Sequence, residues 1–369
     1  MKKKLITLAV ASTLVTAAAV SAPAFADTSN VTVYGVAHVS FDLTDNGAVG
    51  TKQVSSNQSR LGLKGSEDLG DGLSAVWQIE QMVTIDSASG AGNTLATRNT
   101  FAGLSSGSAG TFILGRHDTP YKIATRSLDV FADSAADNRS LMGSTAGGGG
   151  FTAVHDNRLG NVAAYISPAM SGFTGIIAYV AGAETATTGA VKGNAWSMAG
   201  LYGNGPANAS LSYQVVNVGT AGSGTMGGLG GLGGNDKAKA WKLGGGYTMD
   251  AITVNAAYEK TSNTIGGASA AGQNNWYLGS KYSFGSDAVK LAYSRAGDVQ
   301  DTSNTGAQQW ALGYDHNMSK RTSVYALYTR VSNDTGAAYG LTSVSTGGQA
   351  AAGAGQDPSA WSFGMKHTF

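Results

Sequence analysis

The densest mixture of acidic and basic side chains in this chain falls within residues 118–156. Asp118, Lys122, Arg126, Asp129, Asp133, Asp137, Arg139 and Asp156 share that stretch with two aromatic residues, Tyr121 and Phe131, and with the glycine run 147–150. Carboxylates and cations so closely spaced could serve acid–base chemistry, ion pairing or the handling of a charged solute. Other spacings that look chemical are weaker. Gly103-Leu104-Ser105-Ser106-Gly107 fits the nucleophile-elbow pattern, but it closes an alternating run at a turn instead of leading into a helix. Glycine runs 222–227 and 228–233 fit a dinucleotide fingerprint with no strand–helix unit around them, in a chain of 54 glycines. His38, His117, His155, His316 and His367 are scattered without ligand spacing, so no metal, no cofactor and no enzymatic activity are expected. A long stretch without regular structure inside a domain is either functional or disordered. Which of the two holds depends on the elements around it.

The first residues are expected to stand outside the fold. Lys2, Lys3 and Lys4 form a positive start, an apolar run follows, and Ala24-Phe25-Ala26 is a small-x-small cleavage site. This pattern predicts a signal peptide over 1–26 and a mature domain over 27–369. The formal charge of +1 becomes slightly negative once the three lysines are removed, which argues against a nucleic-acid partner. Cysteine is absent, so an exported chain must rely on backbone pairing and burial. Charged residues make up 13%, about half the share usual for soluble domains. Yet no later stretch is apolar enough for a membrane helix. A secreted β fibre and a membrane β-barrel remain.

Alternation then decides between them. Over 31–43, Val31, Val33, Val39, Phe41 and Leu43 share one face, while Thr32, Tyr34, His38, Ser40 and Asp42 take the other. In 60–67, Leu61 and Leu63 oppose Arg60 and Lys64. Sixteen such runs are expected, from 31–43 to 359–369, and none is placed over 44–59. Short turns alternate with long loops rich in Gly, Ser, Thr and Asn, which describes an up-and-down antiparallel sheet with two chemically different ends. Closure removes the edges of such a sheet, and in lipid closure is obligatory because unpaired backbone groups are costly there. The reading is an all-β fold, a sixteen-stranded antiparallel transmembrane barrel of the outer-membrane type. Trp77, Tyr165, Tyr179, Trp196, Tyr247, Trp276, Tyr282, Trp310, Tyr314, Tyr328 and Trp361 are expected to form interfacial girdles. The last strand, ending on Phe369, is expected to pair with 31–43 and close the barrel. A surface fibre would need a parallel repeat of fixed period, and none is found.

The run Ser59-Arg60-Leu61-Gly62-Leu63-Lys64-Gly65-Ser66-Glu67-Asp68-Leu69-Gly70-Asp71-Gly72-Leu73 resembles the general porins of Gram-negative bacteria, in particular their Neisseria and Burkholderia-like branch. So do the opening Val31-Thr32-Val33-Tyr34-Gly35, the Gly115-Arg116 pair and the terminal Phe369. The resemblance implies an outer-membrane location, a homotrimer, and a third outer loop that folds inward to narrow a water-filled pore. That loop would be 118–156. It also implies that Arg60, Arg98 and Arg158 project into the constriction.

Alternation independently turns Arg60 and Lys64 inward, because charge on the lipid face costs roughly 2–4 kcal/mol at the midplane. With Arg116, just ahead of the loop, they complete the expected basic set. The expected acidic set is Glu80, Asp118, Asp129, Asp133 and Asp137. A basic wall opposed to an acidic loop would create a transverse field, unless the same charges serve to pin the loop. The function expected is passive diffusion of small hydrophilic solutes and ions with mild anion preference. The alternative is a solute-specific channel or receptor barrel for a small sugar or carboxylate, with Tyr121, Phe131 and Phe151 as its binding track.

Overall fold

The computed structural model describes residues 30–86, 95–143, 154–182, 189–220, 233–265, 268–341 and 349–369. The expected signal peptide, the glycine run 147–150, Phe151 and both fingerprint-like glycine runs lie outside those residues, apart from Gly233.

Seventeen strand segments are joined antiparallel in one sheet. They are β1 (Asn30–Asp45), β2 (Gly50–Ser56), β3 (Arg60–Gly70), β4 (Leu73–Met82), β5 (Thr100–Ser106), β6 (Gly110–Asp118), β7 (Arg158–Ile166), β8 (Phe173–Ala181) and β9 (Asn194–Asn204). Then follow β10 (Ala207–Asn217), β11 (Lys237–Met249), β12 (Ile252–Ile265), β13 (Ala268–Phe284), β14 (Asp287–Ala296), β15 (Ala307–Asn317), β16 (Thr322–Asn333) and β17 (Ser359–Thr368). β2 pairs with the half of β1 from Val39 to Asp45, and β3 pairs with the half from Asn30 to Val36. The two are one barrel strand broken at Asn57–Ser59, so the barrel has sixteen strands. β1 also pairs with β17 over ten residues, which closes the sheet.

β2 adds a strand segment between 44 and 59, where none was expected. Asn57 N–H donates to His38 O at 2.7 Å, and Gln58 takes a φ of 57°. Thr51-Lys52-Gln53 and Ser55-Ser56 give little apolar alternation, so the strand is held by the ladder it completes and not by side-chain pattern.

Burial along the strands is inverted relative to a soluble sheet. Phe41, Leu61, Leu63, Leu114, Leu211, Leu243, Leu278 and Leu312 are exposed, whereas Lys242, Gln214, Gln309 and Glu259 are among the largest fully buried side chains. An outward apolar face and a polar inner face suit a sheet whose outer solvent is hydrocarbon. The aromatic side chains expected as girdles lie on the outward face. Tyr179–Trp196, Trp241–Tyr258, Tyr258–Trp276, Tyr293–Trp310 and Tyr328–Trp361 are in ring contact at 4.3 to 5.0 Å. They form a belt toward the long-loop end. Tyr202, Tyr247, Tyr282 and Tyr314 repeat it near the short turns.

Candidate constriction site

The segment after β6 is built by local capping. Thr119 caps the helix α1 (Pro120–Arg126), accepting from Lys122 N–H, and Pro120 stands at its first turn where no N–H is needed. Asp137 caps the 3-10 turn Asn138–Ser140 and accepts from Arg139 N–H. Between them the chain turns back on itself at Asp133, whose φ is 62°.

Three groups of contacts tie this segment to the inner face of the strands. In the first, Tyr121 is fully buried: its N–H donates to Ser197 Oγ at 3.0 Å and its hydroxyl to Glu259 at 2.8 Å. Lys242 Nζ stands 4.5 Å from the Tyr121 ring centroid and pairs with Asp156 at 2.8 Å and Glu259 at 3.1 Å. Glu259 also accepts from Gly143 N–H and from Asn275, each at 2.8 Å. Every charge in this buried group therefore has a partner and hydrogen bonds, the condition for tolerating ions out of water.

In the second, Leu128 and Phe131 pack on strand glycines. A Cβ at Gly244 would lie 2.5 Å from Leu128, and one at Gly313 would lie 2.6 Å from Phe131. Lys290 Nζ is 4.8 Å from the Phe131 ring centroid and pairs with Asp315 at 2.8 Å. Tyr277 donates to Asp129 and accepts from Val130 N–H at 2.8 Å.

The third group holds most of the expected charges. Arg126 pairs with Asp133 at 2.7 Å, with Asp129 at 3.7 Å and closely with Asp137; Arg139 pairs with Asp137 at 3.0 Å. The loop's acids are thus met first by the loop's own arginines. From the wall, Arg60 reaches Asp133 at 3.7 Å and Glu80 at 3.9 Å. Arg98 pairs with Glu80 at 2.6 Å and also contacts Gln58 at the strand break. Arg158 and Lys122 share Asp118 at 3.1 and 2.8 Å.

Two of the expected basic residues stand apart. Lys64 faces inward as alternation requires, 5.3 Å from the Tyr34 ring centroid. Arg116 follows Phe112 and Leu114 on the outward face and lines an open groove of about 700 Å³ with Leu114, Ala163 and Tyr179. The register with β7 shifts between Gly115 and His117, where Gly115 takes a φ of 147°, while Arg116 still pairs with Thr100 of β5. Arg116 donates to Thr97 O at 3.1 Å, and Asp118 is its neighbouring acid among the constriction candidates.

Electrostatics follow these contacts. Burial resists ionisation of Asp133, but Arg126, Arg60 and Arg139 outweigh it and hold the carboxyl well below the usual range. Asp137 is likewise depressed, against burial, by Arg126 and Arg139. Burial and the Asp137 carboxylate instead push Asp129 up to about 6. Burial lowers Lys122 to about 8, against the pull of Asp118, and lowers His155 to about 4.

Sequence reasoning did not single out Lys242, Glu259, Lys290 or Lys366. Alternation carried the signal for each: Lys242 lies between the outward Trp241 and Leu243, Glu259 follows Tyr258, and Lys366 follows Met365. Lys366 has Asp133, Arg60, Lys290 and Arg126 as its charged neighbours and no ion pair of its own among the described residues.

A closed antiparallel barrel with an apolar exterior and a charged interior defines a transmembrane channel of the outer-membrane class. Residues 11–336 match the sequence profile of the Gram-negative porins, and the chain belongs to that family. It is 32% identical to outer membrane porin protein 32 of Delftia acidovorans, over the whole of both chains. It is 28% identical to the major outer membrane protein P.IA of Neisseria meningitidis, covering 77% of this chain and 78% of that one. The anion-selective porin from Comamonas acidovorans superposes with a TM-score of 0.77 at 26% identity, covering 93% of this chain and all of that one. This chain is accordingly an outer-membrane porin, a channel for passive diffusion of small hydrophilic solutes and ions.

Proposed function

We propose that residues 118–156 fold into the lumen as the constriction of a mildly anion-selective diffusion pore. The observation that carries this reading is Lys366 on the inner wall, which has Asp133, Arg60, Lys290 and Arg126 as its charged neighbours and no ion pair of its own among the described residues. Arg60, Arg126 and Lys290 are also paired with Glu80, Asp137 and Asp315, so Lys366 is the cation left over. Further along the wall, Lys281 lies directly across from Lys290, with Asp315 pairing the latter. A positive bias at the narrowest point lowers the entry cost of anions relative to cations. The similarity to a porin described as anion-selective supports the same reading.

The solute-specific alternative loses its proposed track. Tyr121 and Phe131 are 0% and 1% exposed, packed against the wall where a passing solute has no access to them. Catalysis is not part of the proposed role. The mature protein would begin at Asp27 after removal of residues 1–26.

A homotrimer completes the proposal. Between residues 30 and 118 the only Tyr and Trp residues are Tyr34, which bonds Glu80 inside, and Trp77, which packs over Gly65. β1–β6 therefore present an outward apolar face with Trp77 as its one Tyr or Trp, which suits contact with neighbouring subunits.

Charge reversal tests the selectivity. Arg60→Glu and Lys366→Glu are each expected to move the zero-current potential under a salt gradient toward cation preference, and the pair further still, with barrel assembly unchanged. Unaltered potentials in both variants would remove these residues from the constriction.

A further inference from the structure

One inward carboxylate lies outside the pairings described above. Asp42 on β1 is 2% exposed, has no ion pair among the described residues, and its Oδ1 has no hydrogen-bond partner. Hydroxyl groups stand around it by register. Ser362 on β17 lies directly across from Asp42 on one side and Gln53 on β2 on the other, while Ser55 on β2 lies across from Ser40. Residues directly across an antiparallel ladder have Cβ atoms about 4.5–5.5 Å apart, and diagonal neighbours about 7–8 Å. Asp42, Ser362 and Ser55 therefore reach a common point on the inner wall. Both serines are buried, and Ser55 Oγ also lacks a hydrogen-bond partner.

The recess is closed in both directions along β1. On the short-turn side, the Tyr325 ring covers Gly364, where a Cβ would lie 2.3 Å from it, and the Tyr325 hydroxyl stands 3.0 Å from His38 Nε2. On the long-loop side, Thr44 Oγ1 donates to Gln349 Oε1 at 3.0 Å, and Ala352 N–H donates to Asn46 O at 2.9 Å. Residues 349–352 thus lie across the wall just beyond Asp42. The nearby donors are engaged elsewhere. The Asn57 amide donates to Ser40 Oγ at 2.8 Å, Lys52 alternates with Val54 onto the outward face, and Lys366 has Asp133 as its neighbouring acid. A carboxylate out of water with neither cation nor donor carries a desolvation cost that a bound cation offsets.

We propose that Asp42, Ser55 and Ser362 form a site for a hard divalent cation, calcium, on the inner wall where β17, β1 and β2 meet. The donors are all oxygens, the set that calcium accepts at about 2.3–2.6 Å, with waters completing its shell. One carboxylate among neutral oxygens makes a weak site, with a dissociation constant on the order of 10⁻⁴–10⁻³ M. Bound there, the cation ties β2 and β17 to β1 at the closure of the barrel, beneath residues 349–352. Histidine spacing gives no sign of such a site, because its donors are oxygens brought together by register.

Equilibrium dialysis of the purified protein in detergent, first stripped with EDTA, against radioactive calcium at about ten times that dissociation constant tests this. The D42N variant is expected to hold one calcium fewer per chain than the wild type. The S55A/S362A variant keeps the carboxylate and is expected to need more calcium for the same occupancy. Calcium is expected to raise the thermal unfolding midpoint of the wild type beyond any effect on D42N. The E67Q variant, altered at the short-turn end of β3, is expected to bind as the wild type does. Equal calcium in the wild type and D42N, unweakened binding in S55A/S362A, or full displacement by an equal concentration of sodium would each overturn the proposal.

Discussion

At the scale of single residues, the charges of segment 118–156 act first as fasteners. Asp137 receives Arg126, Arg139 and two backbone N–H groups, while Asp129 is left with Phe131 N–H, Asn138 N–H, the Tyr277 hydroxyl and a distant Arg126. Their carboxyls are displaced in opposite directions as a result. Asp129 lies above its usual value, so its contribution to holding the segment is fully present below about 3.8 and is lost as pH rises through about 6. Asp133 and Asp137 have the reverse sign: they stabilise above the ordinary carboxylate range and fail only as pH falls well below it. Hydrogen exchange of residues 128–138, corrected for its intrinsic pH dependence, is therefore expected to report opening that is on the order of tenfold rarer at pH 5 than at pH 7. Asp129→Asn should flatten that difference. An opening constant independent of pH in the wild type would contradict the assignment. The residue types were legible in the sequence, and so was the inward facing of Arg60. Which acid would pair with which base was not, because that depends on the turn at Asp133 and on strands far away in sequence.

At the scale of elements, the strands were legible wherever alternation was strong, and β2 was missed where it was weak. Register corrected more than boundaries. The β6–β7 register shifts between Gly115 and His117, and Arg116 follows the exposed Phe112 and Leu114 along β6. The segment itself is fixed as much by missing side chains as by charges, since Gly244 and Gly313 leave room for Leu128 and Phe131. Gly313→Val would drive Phe131 off the wall and uncover Lys290, costing on the order of 1–3 kcal/mol as an overpacked site. Single-channel traces of that variant are expected to show added noise and altered mean conductance, with the barrel still folded. Traces indistinguishable from the wild type would show that this contact does not hold the segment.

For the whole molecule, closure was legible from patterning: β1 meets β17 over ten residues, and Gly35 and Phe369 exchange backbone hydrogen bonds at 3.0 and 3.1 Å. The uneven spread of girdle residues around that barrel was visible in the sequence only once each strand had a neighbour. It divides the surface into an arc rich in Tyr and Trp over β8–β17 and an arc over β1–β6 whose outward aromatics are Trp77, Phe41 and Phe112. Chemical cross-linking of the purified protein is expected to give a trimer, and Leu61→Glu with Leu114→Glu to give monomers that keep the barrel. A wild type that stays monomeric would refute the subunit contact.

The pore's sign is the central claim, since Lys366 stands on the inner wall near Asp133, Arg60, Lys290 and Arg126 with no ion pair of its own among the described residues. The zero-current potential of the purified wild-type protein in a neutral planar bilayer, under a tenfold potassium chloride gradient, tests it most directly. A potential displaced modestly toward that of chloride is predicted, and one displaced toward that of potassium would contradict the account.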